Sequence, residues 1–188
     1  MSQRTKALIY AAIVGLVIVA IFLGFLSGFD NTISWLLIVA LVLVSVIYNK
    51  TQGGKKVVWK EEYSVGVKVL DDDHKKLVQL LNQFTTAYEY AMSESFERQA
   101  LEDLVDYTKT HFLREEQIMQ DNGYPDFAAH KEQHRKMIEQ VEVFVNLYRE
   151  KGHDALSEVS DFLSKWLINH INGTDKQYTE FLNNKNIY

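Results

Sequence analysis

The sequence predicts an all-α protein, an up-down-up-down antiparallel four-helix bundle preceded by a two-helix transmembrane hairpin. Three observations carry this. There is one proline in 188 residues, Pro125, and helix interiors exclude proline. No run of alternating apolar and polar residues stands between turn dipeptides, so strands are not indicated. Two long uncharged runs come first, and four stretches with apolar residues three and four apart follow them.

The hairpin comes first in the chain. No residue from Ala7 to Ser27 is charged, a length that makes a helix of about 31 Å, against a hydrocarbon core of roughly 30 Å. A second uncharged run covers residues 31–49, and Gly28-Phe29-Asp30-Asn31 reads as a tight polar turn between the spans. Arg4 and Lys6 precede the first span and Lys50, Lys55, Lys56 and Lys60 follow the second, while the turn has no cation. Positive-inside bias then places both termini in the cytoplasm, with the chain multi-pass in the cell inner membrane. A cleaved signal peptide is the competing reading. The apolar run is long for a signal core, and a second span follows without a clear small-residue cleavage site. Tyr10 and Tyr48 fall near the expected interfaces. Neither span has a charged residue, so the hairpin reads as an anchor rather than a transport path.

These boundaries give a membrane hairpin over residues 1–50, a linker over 51–60 beginning Thr51-Gln52-Gly53-Gly54, and a bundle over 61–188. Asp71, Asp72 and Asp73 are read as opening the first bundle helix at the positive end of its dipole. Its apolar face is Leu77, Leu80, Leu81, Phe84 and Tyr88. Ser93 to Ser95 offer caps for the second, whose face includes Leu101, Leu104, Val105, Thr108, Phe112, Ile118 and Met119. Gly123 ends it. Pro125 suits the first turn of the third helix, with Phe127, Met137, Ile138, Val141, Phe144 and Tyr148 on its face and Gly152 at its end. Asp154 is read as the cap of the fourth, which presents Val159, Phe162, Leu163, Trp166, Leu167 and Phe181. Short connections make neighbours antiparallel.

Composition excludes several classes. Residues 1–60 hold six Lys/Arg against one acid, Asp30, while the rest is acidic enough to bring the chain to −5. That balance argues against nucleic acid, which needs clustered cations. With no cysteine, disulfides, iron–sulfur clusters and thiolate metal sites are out.

Polar residues interrupt the apolar stripes. Of the six histidines, five lie on them: His74 before Leu77, His111 in line with Thr108, His130 and His134 between Phe127 and Met137, and His170 after Trp166. Glu115 follows His111 by one turn. His153, beside Gly152, reads as exposed. Taken singly, a core histidine is a hydrogen-bonded side chain, H-x3-E a surface charge pair, H-x3-H a zinc pair or chance, and Asp175 a surface acid. Taken together they demand more. Unpaired buried polar groups cost about 1–3 kcal/mol each, against a net stability of about 5–15 kcal/mol. A metal reverses that sign, because ligation stabilises the fold. In an alternating bundle all seven lie within about 21 Å of one end.

The same residues resemble the hemerythrin family. Trp59, Ser64-Val65-Gly66-Val67 and Leu70-Asp71-x2-His74-Lys75-Lys76-Leu77 look like its opening. His111-Phe112-x2-Glu115-Glu116-x2-Met119, Tyr124-Pro125-x4-His130-x3-His134 and Trp166-Leu167-x2-His170-Ile171-x3-Asp175-x2-Tyr178 resemble its later motifs. The likeness runs from about Val57 to the C-terminus and says nothing of the hairpin. It implies an oxo- or hydroxo-bridged pair of iron ions: His130, His134 and His170 on one, His74 and His111 on the other, Glu115 and Asp175 bridging. One coordination position then stays open, on the iron with two histidines, where dioxygen can bind. Leu77, Phe112, Trp166, Leu167 and Ile171 would line an apolar pocket there. His170 and Asp175 are five apart, about 140° around an ideal helix, so either a long reach or a local widening near Gly173 must turn Asp175 inward. The expected function is non-enzymatic, reversible dioxygen binding, for storage or for delivery to a membrane oxidase. A membrane-attached oxygen or redox sensor, and a di-iron oxidase or nitric-oxide-handling protein, are the alternatives.

Overall fold

The computed structural model describes residues 3–52, 56–90 and 93–188, with side chains described from Leu8 to Ile47 in the first stretch. It is helical throughout, with no strand among the described residues. Contacts divide it into a hairpin unit and a bundle unit.

The hairpin consists of α1, Gln3–Leu26, and α2, Thr32–Gln52. The segment Leu8–Leu26 is long and apolar enough to cross a membrane, and Thr32–Ile47 is a shorter apolar helix. Gly24 permits a close approach of the pair: a Cβ there would stand 2.1 Å from the Ser34 hydroxyl. The turn is fixed by Asn31 Nδ2 donating to the Gly24 carbonyl at 3.1 Å and by the Trp35 indole donating to the Phe29 carbonyl at 3.0 Å. Between Leu8 and Ile47 the helices expose many large apolar side chains, Leu16, Phe22, Leu36 and Ile47 among them.

Part of the expected linker is ordered structure. Thr51 and Gln52 belong to α2, residues 53–55 fall outside the described residues, and from Val57 the chain packs on the bundle. This arm runs from 56 to 67 through a 3-10 turn at Glu61–Tyr63, and buries Val65 and Val67. Helix α3, Lys68–Glu89, starts three residues before the expected point. Asp71 caps the arm instead, accepting from Ser64 Oγ at 2.5 Å and Val65 N at 2.7 Å.

Helix α4, Glu94–Asn122, is capped by Ser93, whose hydroxyl accepts from Phe96 N. It ends at Gly123, whose φ of +68° frees its N–H and that of Tyr124 to close on the last turn. Helix α5, Phe127–Lys151, begins two residues after Pro125, which lies in the turn and not in the first helical turn as expected. Asp154 is likewise no cap. It sits in a 3-10 turn, Gly152–Ala155, and α6, Leu156–His170, follows. A five-residue π turn, Ile171–Asp175, then leads into α7, Lys176–Asn183.

Helices α3 to α6 bury one stripe each. Leu77, Leu81 and Phe84 meet Leu104, Phe112, Val141, Phe144, Val159 and Leu163 in a single core. Away from the histidines that core is held by Phe144 on Phe162, ring centres 5.0 Å apart, and by a buried Thr85–Ser160 hydroxyl pair at 3.0 Å. His153, expected to be exposed, pairs through Nδ1 with the buried Glu97 carboxylate at 2.9 Å.

Candidate metal centre

The alternating bundle brings the ends of α4 and α6 beside the starts of α3 and α5. There all seven residues taken from the stripes converge, each at most 5% exposed. Six of them form two groups sharing Glu115, one with His130, His134 and His170 and the other with His74 and His111, and Asp175 lies against both.

The contacts show how the acids sit. Glu115 Oε2 lies 3.2 Å from His134 Nε2, 3.3 Å from His130 Nε2 and 3.8 Å from His111 Nε2. Asp175 turns Oδ1 to His170 Nε2 at 3.0 Å and Oδ2 to His74 Nε2 at 3.3 Å. Each carboxylate therefore faces both histidine groups. The π turn makes this possible for Asp175: the extra residue absorbs the rotation that an α-helix would impose, so the side chain is fully buried.

This donor set fits metal ions. Three imidazole nitrogens crowd together, with His130 and His170 Nε2 at 3.1 and 3.0 Å from His134 Nε2. Neighbouring ligands at right angles on an ion about 2.1 Å away are about 3.0 Å apart. Both ring nitrogens of His74 and both carboxyl oxygens of Asp175 are buried without a hydrogen-bond partner. His74 and Asp175 touch, but not in hydrogen-bonding geometry. Orphaned polar atoms of this kind call for a cation. The charge states agree. Burial holds the His74 and His170 imidazoles below their ordinary pKa, hence neutral, as ligands must be. Burial, then the nearby Glu115 charge, pushes the Asp175 carboxyl up to about 8 without an ion. Glu115 is opposed by burial too, but the His111 charge and hydrogen bonds from His130 and His134 hold it well below the ordinary value.

An outer layer orients these side chains; Glu116 and Tyr178 in it fall within the quoted motifs, whereas Asp73 does not. Asp73 is buried between His111 Nδ1, a long contact at 3.5 Å, and Tyr107 OH, which donates at 2.8 Å; Arg114 closes on both its oxygens. Burial works against the Asp73 charge, but hydrogen bonds from His111, Tyr107 and Arg114 bring its pKa to about 2. Glu116 holds His134 Nδ1 at 3.1 Å and is itself paired with Lys131. The buried Tyr178 donates to Glu115 Oε1 at 2.6 Å. Asp73 and Glu116 are direct neighbours of ligand positions, so no periodicity separates them from surface acids.

Beside the centre is an apolar cavity of about 30 Å³, room for one or two water-sized molecules. Leu77, Phe112, Trp166, Leu167 and Ile171 all line it. It touches His74 and His111, with His170 and Asp175, but not His130, His134 or Glu115. Thr108 also faces it, and its hydroxyl is already donated to the Leu104 carbonyl.

Comparison with known proteins agrees with this geometry. Residues 65–182 match the family model described as Hemerythrin HHE cation binding domain. A bacteriohemerythrin of Stenotrophomonas maltophilia is 35% identical over 123 residues, spanning 65% of this chain and 79% of that protein. One from Methylococcus capsulatus is 36% identical over 121 residues, 62% of this chain and 88% of that protein. A crystal structure of wild-type hemerythrin superposes with a TM-score of 0.58 at 32% identity, covering 66% of this chain and 95% of that one.

Proposed function

Because the chain belongs to the hemerythrin family, we propose that its bundle holds two iron ions and binds dioxygen reversibly, attached to a membrane by its N-terminal hairpin. His130, His134 and His170 would hold one ion and His74 and His111 the other, with Glu115 and Asp175 facing both histidine groups. When bound, such a pair supplies dioxygen with two electrons and one open coordination position.

The observation that carries this reading is the placement of the cavity. The small apolar space adjoins both histidines of the two-histidine group and only His170 of the other. The residues around it exclude water, and the one hydroxyl facing it is spent on a backbone carbonyl. A largely apolar lining with its one hydroxyl already engaged favours release of dioxygen unchanged over its reduction, which supports a carrier rather than an oxidase. Asp73 and Glu116 fix the ring planes of His111 and His134, and Tyr178 holds Glu115. Preset ligands then need little movement between the two states.

The exposed apolar surfaces of α1 and α2 suit lipid, and the cations that flank them in the sequence favour a cytoplasmic bundle. Storage near the bilayer, where dioxygen partitions, or supply to a membrane oxidase follows from that placement.

The test uses the full chain in detergent. Iron per chain is measured, and the visible spectrum is followed through cycles of air and anaerobic buffer. Two irons per chain and repeated, complete cycling are expected. One iron or none, or rapid bleaching with peroxide release, overturns the reading.

A further inference from the structure

We propose that Asn82 and Trp59 together are positioning residues for His74, so that docking of the arm and retention of metal are coupled. This rests on the reading of His74 as an iron ligand.

Two of the five histidines have a carboxylate on the far ring nitrogen: Asp73 on His111 and Glu116 on His134. Such partners fix ring orientation in metal sites. His74 has both ring nitrogens buried and neither hydrogen-bonded. Packing alone sets its plane. His111 stands edge-on to it with ring centres 4.7 Å apart. Trp59 lies near-parallel to it at 26° and 6.4 Å.

Trp59 comes from the arm, not from a helix. Its own indole N–H is buried without a partner, so no hydrogen bond of its own ties it down. Tyr63 meets it edge-on at 5.8 Å and the Lys75 ammonium stands 5.3 Å from its ring. Two residues upstream the arm is fastened firmly. The Asn82 amide accepts from Val57 N at 3.0 Å and donates to Val57 O at 2.8 Å, gripping both backbone groups of one residue as a neighbouring strand would. With Val57 fixed, Trp59 has little freedom to leave His74. By linkage, whatever holds His74 in place also favours the docked arm, and the arm is the part of the bundle unit nearest in sequence to the hairpin.

The experiment takes the full chain in detergent, loaded with iron, and measures iron release to a ferrous chelator and amide exchange at Val57. Asn82→Ala is expected to speed iron release by about tenfold, within the range for loss of outer-layer support, and to speed exchange at Val57. Trp59→Ala should behave alike, while Trp59→Phe, which keeps an aromatic face, should stay near wild type. Thr85→Ala, which breaks a buried pair away from the arm, should lower the melting temperature without speeding release. Iron loading should slow exchange at Val57 in the wild type. Release at the wild-type rate from both Asn82→Ala and Trp59→Ala overturns the coupling, as does equal acceleration by Thr85→Ala. A wild-type chain that takes up no iron overturns the underlying metal reading instead, and is seen before any variant is made.

Discussion

Asp175 lies five residues after His170, yet its Oδ1 stands 3.0 Å from His170 Nε2. The π turn between them is the reason. It turns a position that an α-helix would point away into one that faces both histidine groups, at the cost of burying an acid with no hydrogen-bond partner.

Replacing that acid should act in opposite directions on the two forms of the protein. Asp175→Asn should reduce iron to one ion per chain or fewer, measured by metal analysis. In the metal-free protein, the Asp175 pKa is raised to about 8 from 3.8. The contribution of the protonated acid to stability is complete below about pH 4 and is lost as pH rises through about 8. The metal-free wild type should therefore melt below the Asn variant at pH 9, with the gap closing or reversing by pH 5. A gap that widens toward acid would contradict this.

The Asp73 network should set metal affinity. Asp73→Asn keeps an acceptor for Tyr107 but removes the charge that faces His111 and Arg114. Competition with a chelator should show about a tenfold weaker site, and Glu116→Gln a similar loss through His134. Unchanged affinity in both would show that the ring planes are fixed by packing.

Leu77 tests the cavity. It is 1% exposed and lines the space beside the two-histidine group. Leu77→Phe should keep both irons but slow dioxygen binding at least about tenfold, because the ring fills a space scarcely larger than the ligand. Leu77→Ala should cost about 2–5 kcal/mol in denaturant unfolding. Equal binding rates in Leu77→Phe and wild type would mean that ligand enters and binds elsewhere.

Topology can be read with single cysteines, since the chain has none of its own. Phe29→Cys, at the exposed hairpin turn, should react with an impermeant maleimide added outside spheroplasts. Lys136→Cys, at an exposed position on α5, should react only after lysis. The reverse labelling would invert the orientation.

What the sequence made legible is what repeats along a helix. The histidines and Glu115 share spacing with Leu77, Phe112 and Met137, so their common face could be found by counting. Asp175 breaks that count, and only the five-residue gap after His170 marked the problem. The contacts of Asp73 and Glu116 have no periodic signal, although Glu116 stands in the quoted motif: each adjoins a stripe position, about 100° around the helix, where acids are ordinarily solvated. Pro125 and Asp154 were misplaced because turn residues fit several positions near a helix start equally well. The Val57–Asn82 grip has no local signal at all, because its partners are 25 residues apart.

The orphaned atoms of His74 and Asp175 also bear on how the molecule is made. At the opposite pole, Phe144, Phe162, Thr85 and Ser160 satisfy one another with nothing added. On the proposed reading the other pole is complete only with its ions, so the two ends of a new chain differ in what they need. Scarcity of iron then leaves that pole without the partners that His74 and Asp175 lack, at the end where the arm runs into α3.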